Sequence, residues 1–306
     1  MNIRIGTRGS KLALTQANLV ADKIKREKPD VNIEICVIKT SGDIMQDISL
    51  LQIGSKGVFV KEIEDALLAG AIDLAVHSMK DVPTEIPIGL EFAAILQRED
   101  ARDILVSKGN RKIEQMQKGA RIGTGSMRRA AQLLVMLPDL QIVSLRGNLD
   151  TRLKKIETEN LAGVIVAAAG MKRMGLAEKI SQYLPIETML PAVGQGALGL
   201  EIRADDNDLC DLLAKLNHVP TNTEVTAERS FLRHLGGGGC RLPIAAFGKL
   251  EGDKLTLEGL VAAPRGTGII RDKVQGAAGD ADELGKKLAE MILERGGKKL
   301  LELVYK

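Results

Sequence analysis

Arg4-Ile5-Gly6-Thr7-Arg8-Gly9-Ser10 is echoed later in the chain by Arg121-Ile122-Gly123-Thr124-Gly125-Ser126. Each stretch predicts a strand, then a tight turn of Gly, Thr and Ser, then a helix capped by Ser10 or Ser126. Two copies of a strand–turn–helix unit indicate two similar lobes. Because α/β lobes bind ligands at the carboxyl ends of their strands, we expect a site in the cleft between them.

Strand-like and helix-like segments alternate over residues 1 to about 190. The predicted strands are 3–6, 31–40, 72–77, 121–123, 140–145 and 163–167, and the predicted helices are 10–28, 60–69, 126–137 and 148–158. This alternation is typical of α/β folds with mostly parallel sheets. After a linker-like stretch at 217–222, a helix, three strand-like segments and a long amphipathic helix predict a smaller C-terminal α+β domain.

We therefore expect three domains. Domain 1 is an α/β lobe made of 1–98 plus 194–217, domain 2 is an α/β lobe over 99–193, and domain 3 is the α+β domain over 218–306. The glycine-rich stretch at 194–199 lacks the preceding strand and the acidic partner of a dinucleotide-binding fingerprint. It is interpreted as the crossing that returns the chain to the first lobe.

The composition describes a soluble globular protein of more than one domain. Hydrophobic residues make up 44% and charged residues 27% of the 306 residues, as in ordinary globular proteins. Aromatic residues are only 2%, so platforms that stack the bases of single-stranded nucleic acid are not expected. The net charge of +3 is too small for a general polyanion-binding surface, so an anion site depends on where the arginines lie.

The cysteines, Cys36, Cys210 and Cys240, are scattered and lack CxxC spacing. Neither a disulfide framework nor a metal site is expected from them. No stretch approaches about 18 consecutive apolar residues, and no apolar signal region is seen at the N-terminus. We therefore expect a cytoplasmic protein with no membrane partner. Because the sequence has no heptads and no large apolar stripe, we expect a monomer.

Arginines recur where the predicted strands pass into helices: Arg8, Arg128, Arg129, Arg146 and Arg152. A helix N-terminus already carries a positive partial charge, so further cations there favour a bound polyanion. Guanidinium groups bind carboxylates in a bidentate way. Each arginine taken singly fits a solvated surface residue, whereas the five together predict a ligand rich in carboxylates or phosphates.

An aspartate follows the predicted strand 72–77. Asp81 precedes Val82-Pro83, where the proline holds the backbone extended. The aspartate is interpreted either as a turn residue or as a carboxylate that faces the same cleft as the arginines. In the second case it would stabilise a cationic intermediate. His77 is expected to pack at the end of the strand rather than to act as a base.

Cys240 follows four consecutive glycines in the stretch Gly236-Gly237-Gly238-Gly239-Cys240-Arg241. A glycine run costs backbone entropy on folding, so it favours the close approach of something bulky to the main chain. From these residues alone, Cys240 could be a nucleophile, a metal ligand, an attachment point for a covalent group, or an incidental residue of a flexible loop.

Together these motifs resemble the porphobilinogen deaminases, or hydroxymethylbilane synthases, through nearly the whole chain. The matching stretches are 6–10, 57–62, 75–83, 123–129, 145–148, 190–196 and 238–240. The resemblance implies two periplasmic-binding-protein-like (type II) lobes and a third domain that carries the cysteine. It also implies a transferase of tetrapyrrole and haem biosynthesis. Such an enzyme condenses four porphobilinogen units with loss of ammonia and releases hydroxymethylbilane by hydrolysis.

The resemblance further implies a dipyrromethane cofactor bound by a thioether to Cys240. It implies a catalytic Asp81 that hydrogen-bonds pyrrole N–H groups and stabilises a cation. Residues implied to bind cofactor or substrate are Arg8, Ser10, Lys80, Thr124, Ser126, Arg128, Arg129, Arg146, Asn148, Arg152, Arg173 and Gln195. Lys56 and Phe59 would belong to a lid over the cleft.

The chain departs from the common family pattern at two positions. Gln52 stands where Lys is common, which removes one carboxylate contact, and Gly237 stands where Glu is common, which removes a negative charge beside Cys240. Two other functions stay open. A two-lobed binding protein for organic anions explains the arginines but not Cys240. A thiol enzyme requires a free Cys240, whereas the deaminase resemblance requires a blocked one.

Overall fold

The computed structural model describes residues 1–41, 60–237 and 242–305. The chain forms two compact units, the first made of Met1–Glu99 and Ala197–Asn222 and the second of Asp100–Gly196 and Thr223–Lys306. The three-domain division expected from the sequence is finer than these two units and stays a prediction.

The strands, in chain order, are β1 Asn2–Thr7, β2 Asn32–Val37, β3 Leu74–Ser78, β4 Leu90–Ile95, β5 Asp103–Ser107, β6 Arg121–Thr124, β7 Gln141–Ser144, β8 Gly163–Ala167, β9 Gln182–Tyr183, β10 Leu198–Arg203, β11 Ile244–Glu251, β12 Lys254–Ala262 and β13 Ile269–Ala277. The α-helices are α1 Lys11–Glu27, α2 Lys61–Leu68, α3 Met127–Met136, α4 Leu149–Thr158, α5 Ala168–Arg173, α6 Asn207–Ala214, α7 Val219–His234, α8 Ala281–Glu294 and α9 Gly297–Glu302. None of the helices in the described ranges is both long and apolar enough to cross a membrane.

The two five-stranded sheets share one topology. The first has the order β2-β1-β3-β10-β4 and the second the order β7-β6-β8-β5-β9. In each, the first two pairings are parallel and the last two are antiparallel. The echoed stretches form β1 and β6, which hold the same place in the two sheets, so the prediction of two similar lobes is confirmed.

Each five-stranded sheet has as many antiparallel as parallel strand pairings, whereas the alternation of strands and helices predicts mostly parallel pairings. The sequence analysis missed β4, β5, β9 and β10, which form the antiparallel pairings. Alternation detects a strand followed by a helix and a parallel neighbour. It does not detect a strand such as β10, which lies between β3 and β4 in the first sheet but follows all the strands of the second sheet in the sequence.

Both predicted helix caps are confirmed. Ser10 precedes α1 and its hydroxyl accepts a hydrogen bond from the Ala13 N–H, while Ser126 precedes α3 and accepts from the Arg129 N–H. Each cap satisfies one of the N–H groups that a helix leaves unpaired in its first turn. Each also fixes the short connection between a strand end and the helix that follows.

The C-terminal part of the second unit is the predicted α+β element. β11, β12 and β13 form an antiparallel sheet. Phe231 of α7 and Leu288 of α8 are fully buried against it, and Gly259 of β12 leaves room for both side chains. Gly285 likewise lets α8 lie against the backbone of α7, because a Cβ at this position would meet the Ala227 carbonyl oxygen.

Candidate active site

A pocket in the first unit contains several of the predicted site residues. The polar residues of its wall are Arg8, Ser10, Gln16, His77, Ser78 and Asp81. Apolar side chains complete it, among them Val60, Ile63 and Val76. The sequence analysis predicted Arg8, Ser10 and Asp81 as functional residues, and the structure brings these three together.

The sheet explains why these residues meet. β1 ends at Thr7 and β3 ends at Ser78, and the two strands are parallel neighbours. Their carboxyl ends therefore lie at one edge, where Arg8 follows the first strand and a single 3₁₀ turn, Met79–Asp81, follows the second. Lys80 belongs to the same turn and is half-buried. The pocket thus combines a guanidinium group, hydroxyl groups and a carboxylate.

His77, which lines this pocket, belongs to a buried ionisable pair. His77 Nε2 is 2.8 Å from Glu201 Oε2, and the two residues are 5% and 0% exposed. The ring of Phe92 packs edge-on against the His77 ring. The sequence analysis correctly expected His77 to be packed but missed Glu201. The available signal was a charged residue in the otherwise apolar run Leu198–Ile202, where charges are rare unless paired.

Glu64 of α2 is a second buried carboxyl group near this pair. Burial, followed by the negative charge of Glu201, raises the pKa of Glu64 to about 7. Within the described residues, Glu64 Oε1 and Glu201 Oε1 have no hydrogen-bond partner. The interior beside the pocket therefore holds two carboxyl groups and one imidazole.

Arg128 and Arg129 surround a buried carboxylate in the second unit. Asp103 is fully buried and accepts hydrogen bonds from Arg128 Nη1 at 2.6 Å and from Arg129 Nε at 2.8 Å. Gln195 Nε2 donates to the same carboxylate at 2.9 Å. Burial pushes the pKa of Asp103 up, but the two arginines lower it to about 2. These three predicted ligand-binding residues thus have a partner within the protein, one that the sequence analysis missed.

Two neighbouring junctions of the second unit hold other predicted site residues. Thr124 ends β6 and Ser126 caps α3, while Asn148 is the N-cap residue of α4 and Arg152 Nε donates to the Gly147 carbonyl at 2.8 Å. Because β6 and β7 are parallel neighbours, both junctions lie at one sheet edge.

The junction after β6 and the junction after β7 lie in close contact. A side chain at Gly125 would collide with the Leu145 carbonyl oxygen, and Gly147 has a positive φ of 98°. Arg146 lies between Leu145 and Gly147 and is half-buried. Arg173 ends α5 and its Nη2 donates to the Gly196 carbonyl at 2.7 Å. Hydroxyl and guanidinium donors suited to carboxylates therefore gather at this edge.

Cys240, Lys56, Phe59 and Gln52 lie outside the described residues. Gly236 and Gly237 are described and end α7, with φ angles of 94° and 70°. The Gly237 N–H donates to the Leu232 carbonyl, which closes the last turn of the helix. Two of the four glycines that precede Cys240 therefore have a conformational role as a helix terminator.

Comparison with known proteins agrees with this arrangement. Residues 3–211 match the family model described as porphobilinogen deaminase, dipyrromethane cofactor binding domain, and residues 222–294 match the model of the porphobilinogen deaminase C-terminal domain. The porphobilinogen deaminase of Syntrophus aciditrophicus is 55% identical over 98% of both chains. That of Geobacter metallireducens is 50% identical over 99% of this chain and 95% of its own.

Among solved structures, the periplasmic VFT2 domain of Bordetella pertussis BvgS has a TM-score of 0.44 and 12% identity, over 75% of this chain and 92% of that one. This likeness is too weak to support an inference. The family assignment rests on the two family models, which together span most of the sequence, and on relatives that are half identical or more over almost its full length. This chain belongs to the porphobilinogen deaminase family.

Proposed function

We propose that this protein is a hydroxymethylbilane synthase. It is a transferase that condenses four porphobilinogen molecules head to tail, with loss of ammonia, and then releases the linear tetrapyrrole by hydrolysis. Membership of the family supports this assignment. The structural observation that carries it is the pocket in which Arg8, Ser10 and Asp81 lie together.

Within that pocket, each residue has a role that follows from its chemistry. Porphobilinogen carries an acetate and a propionate, and Arg8 and Ser10 would bind carboxylates beside the N-terminus of α1. The Asp81 carboxylate would accept hydrogen bonds from the pyrrole N–H. It would also stabilise the positive charge that develops on the substrate as the amine leaves.

The protein's residues fit a dipyrromethane cofactor. Residues 3–211 match the domain that binds this group, and hydroxyl and guanidinium donors gather at the junctions after β6 and β7. When bound, the dipyrromethane supplies the pyrrole carbon from which the chain is extended. We propose Cys240 as its thioether attachment point. Residues proposed to contact it or the substrate are Arg8, Ser10, Lys56, Phe59, Lys80, Thr124, Ser126, Arg128, Arg129, Arg146, Asn148, Arg152, Arg173 and Gln195.

We also propose that the protein works as a monomer in the cytoplasm, on a small-molecule substrate. Cys36 and Cys210 are free thiols, which fits a reducing compartment. Light scattering on the purified protein would measure its mass in solution. A mass of two or more chains would contradict the monomer.

The decisive experiment measures the intact mass of the denatured protein beside a Cys240→Ser variant. An excess mass of one dipyrromethane that is lost in the variant would support the covalent cofactor. The unmodified protein and an Asp81→Ala variant are then incubated with porphobilinogen. We expect hydroxymethylbilane from the unmodified protein and none from Asp81→Ala, which should keep its fold and its covalent group. Absence of product from protein that carries the covalent group would refute the proposed function.

A further inference from the structure

His77 is oriented like the imidazole of a carboxylate–histidine pair. Its Nε2 atom is 2.8 Å from the Glu201 carboxylate, and His77 is one of the residues that line the pocket that contains Asp81. Within the described residues, Nδ1 makes no hydrogen bond to the protein. Because Nε2 faces the carboxylate, Nδ1 is the ring nitrogen left for a ligand in the pocket.

The surroundings fix the ring in this orientation. Phe92 of β4 packs edge-on at a centroid distance of 6.3 Å, and the fully buried Glu201 comes from the adjacent strand β10. A carboxylate that accepts the Nε2–H selects the tautomer with a bare Nδ1, and it stabilises the imidazolium that forms when Nδ1 takes up a proton. His77 therefore has the arrangement of a general base.

The charged groups around His77 are compatible with its role as a general base. Glu201 is the only carboxylate bonded to the ring in the described ranges. Glu64, on α2, has a pKa raised to about 7 by burial and by Glu201, so both its neutral and its ionised forms are present near neutral pH. Asp81 lines the same pocket and is already assigned to the developing cation.

We propose that His77 Nδ1 is the base that removes the proton lost in each carbon–carbon bond formation, and that Glu201 is its positioning residue. This inference rests on the proposed function. The bond forms between the methylene carbon of the incoming unit, which has lost ammonia, and the free α-carbon of the accepting pyrrole. The α-carbon C–H bond then breaks, its electron pair restores the aromatic ring, and the proton moves to Nδ1. The imidazolium passes this proton to the departed ammonia, which leaves as ammonium.

The kinetic test uses porphobilinogen deuterated at its free α-carbon. We expect His77→Asn to lower kcat about a hundredfold or more, with a small change in KM, because a general base contributes on that scale. Proton removal should then limit the rate, so a primary isotope effect should appear that the unmodified protein lacks. His218→Asn is the matched control. It makes the same change outside the pocket, at the start of α7, where Asn also caps a helix well.

Each kinetic outcome is informative. Normal turnover by His77→Asn would overturn the inference. So would slow turnover without an isotope effect, because a merely structural defect slows every step. Lack of turnover by unmodified protein would refute the proposed function, and this inference with it.

A spectroscopic test does not depend on activity. The chain has three histidines, so ¹⁵N chemical shifts can assign each ring nitrogen with the help of the single variants. We expect the proton on Nε2 and a bare Nδ1 for His77 in the unmodified protein. Glu201→Gln should shift the proton toward Nδ1, because a glutamine amide can donate to Nε2, and it should lower kcat. A proton on Nδ1 of His77 in the unmodified protein would overturn the inference, whatever the activity of the variants.

Discussion

Glu64 should make the stability of this protein fall as the pH rises toward neutrality. Its side chain is buried, and its pKa rises from an ordinary 4.5 to about 7, first through burial and then through the charge of Glu201. Between these two values the folded chain binds a proton that the unfolded chain has released. The free energy of unfolding therefore decreases with pH across this window, and the full loss is reached above about pH 7.

The size of the effect follows from the two pKa values. A tenfold change in proton affinity is worth about 1.4 kcal/mol, so the difference between 4.5 and about 7 corresponds to about 3 kcal/mol of stability. Glu64→Gln keeps the shape of the neutral acid and removes this loss. By the same relation, the stability gained by the variant should grow by about 2 kcal/mol between about pH 5.5 and pH 8.

Urea unfolding followed by circular dichroism at these two pH values measures the difference. Comparing the variant with unmodified protein at each pH cancels any pH-independent effect of the amide. Glu27→Gln, at an exposed position near the end of α1, makes the same chemical change in solvent and should show no pH-dependent gain. A gain for Glu64→Gln that is equal at both pH values would refute the reasoning.

Three further substitutions test other parts of the fold. Asp103→Asn leaves two buried guanidinium groups without their counter-charge, so the second unit should lose about 3–5 kcal/mol in denaturant unfolding; a loss below about 1 kcal/mol would contradict the buried pairing. Gly285→Ala forces a methyl group against the Ala227 carbonyl oxygen and should cost about 1–3 kcal/mol in the same assay, whereas a neutral effect would mean that the helices separate freely. Ser126→Ala removes the cap of α3 and should cost about 1 kcal/mol, measurable as a lower Tm, with Ser126→Thr expected to recover most of it.

Much of the fold could be predicted because local chemistry agrees with it. Ser10 and Ser126 precede apolar helical periodicity and cap the helices that follow. Arg8 and Asp81 follow strands that alternation predicts to be parallel, so both were expected at the carboxyl ends of strands, and the structure shows that these two strands are neighbours. These predictions needed only short-range patterns and one rule about strand ends.

The rest depends on long-range pairing that residue type does not specify. Arg128 and Arg129 stay proposed ligands of carboxylate groups, but the sequence did not reveal that a carboxylate within the protein, Asp103, also pairs with them. Likewise, Glu201 pairs with His77 across 124 positions of sequence. A sequence shows that such groups are charged. It does not show which partner a buried charge will find.

The place of β10 in the first sheet has a consequence for synthesis on the ribosome. β10 lies between β3 and β4, yet it is translated after the whole of the segment Asp100–Gly196. Until it emerges, β4 has no neighbour among the strands that the structure describes, and the edge of β3 that pairs with β10 stays open. The N-terminal unit therefore completes its folding after the middle of the chain has been made, and a nascent chain stopped at Gly196 would expose that edge to chaperones and to other chains.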